Sequence, residues 1–114
     1  MTQHEMAQVM DFLFAQRVDG LPPAALAEVF DRLIWCLVDN GGALLEVRES
    51  WLTSDDKARV EIALAMDETY PFNKLEKMDS VFAKIATKWP DLASRCEKIA
   101  AARRAQSPGQ HGPA

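Results

Sequence analysis

Histidine, cysteine and long apolar runs are the scarce commodities of this 114-residue chain, and each shortage removes a class of function. The two histidines, His4 and His111, stand near opposite ends. A histidine general base is not expected from these positions, and their spacing excludes a two-histidine zinc helix. The two cysteines, Cys36 and Cys96, each sit in an apolar stretch with no second Cys or His at ligand spacing. A zinc site needs about four converging ligands, so both are expected to be buried, reduced thiols acting as small hydrophobes. A disulfide is not needed at this size. No apolar run approaches the ~20 residues that cross a bilayer, so no membrane span is expected. Glycine is also sparse, at five residues. No phosphate-cradling Gly-rich loop, no glycine fingerprint after a strand and no serine elbow is present, and Gly41 and Gly42 read as a helix end. Calcium-loop and magnesium-site spacings are likewise missing. The expectation is a protein that is not an enzyme and holds no cofactor or metal. The N-terminal residues lack a basic region followed by an apolar one, so no secretory signal is expected and the cytoplasm is the default.

What is present is charge, unevenly distributed. Residues 1–68 hold 13 acidic and 5 basic side chains, a balance of −8, whereas residues 69–114 hold 4 acidic and 8 basic, a balance of +4. The overall charge of −4 and a pI near 5.1 hide this division. Such asymmetry points to a charged partner, or to attraction inside the fold.

The remaining pattern is helical. Met6, Val9, Met10, Leu13 and Arg17 recur with helical spacing, and Asp19 and Gly20 end that segment. Pro23 suits the first turn of a second helix, whose stripe is Leu26, Val29, Phe30, Leu33 and Leu37. Residues 33–38 are apolar at every position, which predicts a helix buried on all sides and ended by Asn40, Gly41 and Gly42. In residues 43–52, Leu44, Val47, Arg48 and Trp51 fit a short helix, with a strand as the alternative. Thr53, Ser54, Asp55 and Asp56 read as the start of a fourth helix. Pro71 forces a break, Asn73 offers a cap, and Leu75, Met78, Phe82, Ile85 and Trp89 form the cleanest amphipathic stripe. Pro90 opens a last helix with Leu92, Cys96 and Ile99 inward. The fold expected is all-α, a single compact bundle of five to six short helices over residues 1–105 centred on the second and fifth. Residues 106–114, rich in Pro and Gly, are expected to be a disordered tail.

Three surfaces are candidates for function. Asp55 with Arg59 and Lys57 with Glu61 sit four apart and offset locally, which leaves Glu46, Glu49, Asp67 and Glu68 unexplained. Together with Glu61, these carboxylates form a candidate docking surface for a basic protein partner, as an immunity or antitoxin-type inhibitor would present. Trp51, Tyr70 and Phe72 are candidate aromatic anchors, and self-association through the Trp51 or Phe72 region, as an adaptor or structural subunit, is a further alternative. Lys77, Lys84 and Lys88 fall on one helix face, and Arg103 and Arg104 extend that positive balance, so nucleic acid is the alternative partner. Size, acidity and helical density are similar in kind to small bacterial and phage-encoded inhibitors and immunity proteins, a likeness carried by no motif.

Overall fold

The alternation of helical stripes with Pro- and Gly-containing breaks resolves into six α-helices and one 3-10 turn in a computed structural model, which describes residues 1–111, with side chains described through Gln106. Among the described residues there is no strand, and residues 43–52 belong to a helix. Beyond Gln106, the tail expected over 106–114 lies outside the described side chains. Contacts cluster into two compact units, Met1–Pro71 and Phe72–Ala114. The second helix belongs to the first unit and the fifth to the second.

In the first unit, α1 (Gln3–Gln16) begins with a reciprocal cap. The Thr2 hydroxyl accepts from the Glu5 N–H at 3.1 Å while the Glu5 carboxylate accepts from the Thr2 N–H at 2.8 Å. That bonding holds the Glu5 carboxyl below its usual range. Met6 and Met10 turn inward. At the other end, Arg17 folds back over the Phe14 ring, with its guanidinium carbon 3.7 Å from the centroid, and donates to the Phe14 carbonyl. Helix α2 (Pro23–Ile34) has Pro23 in its first turn and buries Leu26, Ala27, Phe30, Asp31 and Ile34.

Helix α2 ends four residues before its apolar run does. Residues 35–38 form successive turns instead, with Trp35 70% exposed and Val38 fully exposed. The expectation of a helix buried on all sides at 33–38 is therefore corrected, and Cys36, expected inside, is exposed. The physical reason lies just downstream. Asp39 accepts from the N–H groups of Gly41 (2.9 Å) and Ala43 (3.0 Å), which lowers its carboxyl pKa and starts α3 (Gly42–Leu52). Gly41 adopts a left-handed φ of +79° against Ile34, where any Cβ would lie 2.9 Å from a methyl carbon of Ile34. This close turn leaves no length over which α2 could continue.

Helix α3 packs against α1 and against α4 (Lys57–Ala65), and α4 packs against α2. Asp56 caps α4 through the Ala58 N–H, and Ser54 in turn accepts from the Asp56 N–H. Trp51 is the aromatic centre of the unit, edge-on to Phe14 (5.6 Å) and Phe30 (5.7 Å) and only 5% exposed.

In the second unit, α5 (Leu75–Lys88) buries Met78, Val81, Phe82 and Ile85 against a 3-10 turn (Pro90–Leu92) and α6 (Ala93–His111), which contribute Leu92, Cys96, Ile99 and Ala100. Lys74, rather than Asn73, occupies the cap position of α5. Burial pushes the Cys96 thiol up to about 11. No helix among the described residues is long and apolar enough to cross a membrane.

Candidate functional site

The boundary between the two units falls within an uncharged stretch. No residue from Thr69 to Asn73 is an Asp, Glu, Lys, Arg or His, so the unit Met1–Pro71 carries the whole −8 and the unit Phe72–Ala114 the whole +4. Charge asymmetry along the sequence is thus charge asymmetry between compact bodies. Each body must present most of its ionised groups on its own surface, because burying a charge is costly unless it is paired.

Two charged side chains of the acidic unit are nonetheless inside it. Arg48, on α3, is 1% exposed. Its guanidinium donates from Nε to the Ala63 carbonyl (3.0 Å), from Nη2 to the Met66 carbonyl (2.6 Å) and from Nη1 to the Thr69 carbonyl (2.8 Å). These carbonyls lie in and beyond the last turn of α4, where they have no partner within the helix and where a cation favours the negative end of the dipole. Asp31, on α2, is 5% exposed and accepts the Asp67 N–H on Oδ2 at 3.1 Å. Its Oδ1 is buried without a hydrogen-bond partner. Burial is the main cause that raises the Asp31 pKa, opposed by the Asp67 N–H and reinforced by the nearby Asp67 carboxylate. Sequence reading placed Arg48 on the stripe of Leu44 and Trp51 without assigning it a role and passed over Asp31, although Ala27, Asp31 and Ile34 likewise recur along a buried helical stripe.

The expected acidic surface is spread over three elements of this unit. Glu46 (exposed) and Glu49 (half-buried) lie three apart on α3, one turn of one face, while Asp67 and Glu68 are exposed in the segment that Arg48 and Asp31 hold. Glu61, on α4, instead lines a cleft of about 390 Å³ with Arg17, Asp19, Leu21, Leu26 and Ile62. Arg59 pairs with Asp56 (2.8 Å) and with Asp11 (3.2 Å) and lies over the Phe14 ring.

The aromatic anchors need correction. Trp51 and Phe72 are buried and Tyr70 is half-buried, so Trp51 and Phe72 present no face to a partner or to a second copy. Phe72 holds a positive φ of +64°, an uncommon conformation for its type. Exposed apolar surface lies elsewhere, at Trp35, Val38, Phe12 and Val18.

The basic unit also uses part of its expected surface internally. Arg103 donates to the Phe72 and Asn73 carbonyls at 3.0 and 2.9 Å, and Arg104 pairs with Asp79 at 2.6 Å. Lys77, Lys84 and Lys88 remain exposed along α5, the last lying 4.8 Å over the Trp89 ring. Of the five cations assigned to a nucleic-acid surface, both arginines are thus committed to the unit's own structure. Among the described residues no three His, Cys, Asp or Glu side chains are placed to hold a metal. The chain matches no protein-family model, no curated protein and no solved structure.

Proposed function

We propose that the protein is a non-catalytic binding module whose acidic unit docks a basic protein partner, in the manner of an immunity or antitoxin-type inhibitor. The observation that supports this reading is the coincidence of the −8 balance with one compact unit, on which Glu46, Asp67 and Glu68 are exposed. Such a body steers a cationic partner by its field and covers a positive surface of the kind on which a nuclease binds phosphate. Glu49 and Glu61 are half-buried and add to the field more than to the contact.

The test is retention of a basic protein from host extract on the immobilised chain, compared with the variant Glu46→Lys, Asp67→Lys, Glu68→Lys. A partner held at low salt, released at high salt and lost on charge reversal supports the reading. Equal retention on both columns overturns it.

A further inference from the structure

An exposed tryptophan beside an exposed valine is an unusual use of side chains that favour burial, and the sequence around them makes it more so. Residues 35–38 read Trp, Cys, Leu, Val, and three of the four are exposed. Val29 on α2 is also exposed, and Leu33, one helical turn further on, is half-buried, so the apolar surface begins on α2 and continues into the turn. Surface of this kind marks interaction sites, and tryptophan is prominent among residues that dominate binding energy.

The charges nearest to this turn are already engaged. Glu28 pairs with Arg32 at 3.3 Å, and both Asp39 oxygens accept backbone N–H groups at the start of α3. The centre of the patch is therefore apolar and electrically quiet, while the body that carries it stands at −8. An apolar centre depleted of charge, on a body that is charged elsewhere, is the anatomy of a protein interface. The sign of the unit's charge selects the occupant. A second copy meeting this face with its own would set −8 against −8, and an anionic lipid surface would be repelled in the same way.

We infer that the turn of residues 35–38, with Val29 and Leu33, docks an amphipathic helix that brings an apolar stripe to Trp35 and Val38 and basic side chains to the acidic unit that carries them. This rests on the proposed binding of a basic partner and names the contact that gives it specificity. Helix-in-groove recognition reads apolar anchors at successive turns of the partner helix, and the basic flanks supply the encounter rate.

The experiment is calorimetric titration of the full chain with synthetic helices of roughly 18 residues, about five turns. One carries Leu on one face and Lys on the other, a second replaces Leu by Ser, and a third replaces Lys by Glu. The Leu/Lys helix is expected to bind at least about tenfold more tightly than the other two, and Trp35→Ser with Val38→Ser to weaken it at least about tenfold. Both substitutions are at exposed positions, and an unchanged circular-dichroism melt establishes that the fold is kept. Equal affinity for the Leu/Lys and Ser/Lys helices overturns the inference, as does a double variant that binds like the wild type. If Glu46→Lys with Glu68→Lys weakens binding while the Trp35/Val38 variant does not, acidic docking stands and the apolar contact falls. If no basic helix binds, both fall. A wild-type dimer in ultracentrifugation that the Trp35/Val38 variant turns into monomer assigns the patch to a second copy and overturns the proposal. Flotation with neutral phosphatidylcholine vesicles, lost in the same variant, assigns it to lipid and also overturns it.

Discussion

Arg48 and Asp31 hold opposite ends of a single peptide group. Arg48 Nη2 donates to the Met66 carbonyl at 2.6 Å, and the N–H of the same peptide unit, on Asp67, donates to Asp31 Oδ2 at 3.1 Å. A buried cation and a buried carboxylate thus act on each other through an amide dipole aligned between them, and each stabilises the bond that the other makes. The segment leaving α4 is fixed from α3 on one side and from α2 on the other.

Removing Arg48 leaves the Ala63, Met66 and Thr69 carbonyls without their donor inside the unit. Arg48→Met is expected to cost about 3–5 kcal/mol, as for breaking a buried charged network. Arg48→Lys keeps the charge but not the planar fork, and should recover only part of the loss. Urea denaturation of the three proteins checks the order; a Met variant as stable as the wild type would show that the Arg48 hydrogen bonds do not hold the segment leaving α4.

The Asp31 carboxyl has a pKa raised by burial above its ordinary 3.8. The folded state therefore keeps this proton to higher pH than the unfolded chain does. In the window between the unfolded value and the raised one the folded state binds more protons, so the Asp31 contribution to stability falls as pH rises. Asp31→Asn should abolish that slope while keeping an oxygen to accept the Asp67 N–H. Urea midpoints of both proteins between about pH 4 and pH 7 should diverge, with the variant gaining relative to the wild type as pH increases.

Only one thiol should react in the native protein. Cys36 is exposed, whereas Cys96 is buried with a pKa of about 11. Ellman's reagent is expected to titrate Cys36 rapidly and Cys96 only after unfolding, and Cys36→Ser should eliminate the rapid phase. Two rapid equivalents would contradict the placement of Cys96 in the core of the second unit.

Trp51 and Trp35 should answer oppositely to truncation. Trp51→Ala removes the ring that joins Phe14 and Phe30 and should cost about 3–5 kcal/mol. Trp35→Ala removes a side chain 70% exposed and should shift stability by no more than about 0.5 kcal/mol. Chemical denaturation curves separate the two without ambiguity.

Gly41 and Gly20 share a left-handed backbone but not their surroundings. An alanine Cβ at Gly20 meets nothing within 4 Å, whereas at Gly41 it meets Ile34 at 2.9 Å, with the Ile34 Cα at 3.1 Å. Both pay for the conformation, so the difference isolates the clash, and Gly41→Ala should be more destabilising than Gly20→Ala by about 1–3 kcal/mol. Thermal melts of the two variants measure it.

Much of the fold was legible because helical periodicity and punctuation agree. Met6 with Met10, Leu26 with Phe30, and Met78 with Phe82 and Ile85 turn inward as their spacing predicts, and Pro23, Asp56 and Pro90 stand where helices or turns begin. Residues 33–38 were misread for an identifiable reason. Hydrophobicity there is continuous, so it carries no period, and what ends α2 is a pair of Asp39 hydrogen bonds and the left-handed Gly41. Trp51 and Phe72 were hard to place because short segments bury aromatics as readily as they expose them. The inward turn of Asp31 and Arg48 needed knowledge of which backbone groups would gather beside them, and that arises only once α2, α3 and α4 pack.

Between Glu68 and Lys74 the chain carries no formal charge, and the limit between its compact units lies inside that stretch. Cleavage there at neutral pH would yield one fragment migrating to the anode and the other to the cathode, although the intact chain has a single isoelectric point near 5.1. The electrophoretic identity of the protein is therefore an average over two pieces that do not share it. A limited digest resolved by isoelectric focusing would separate them by charge more sharply than by mass.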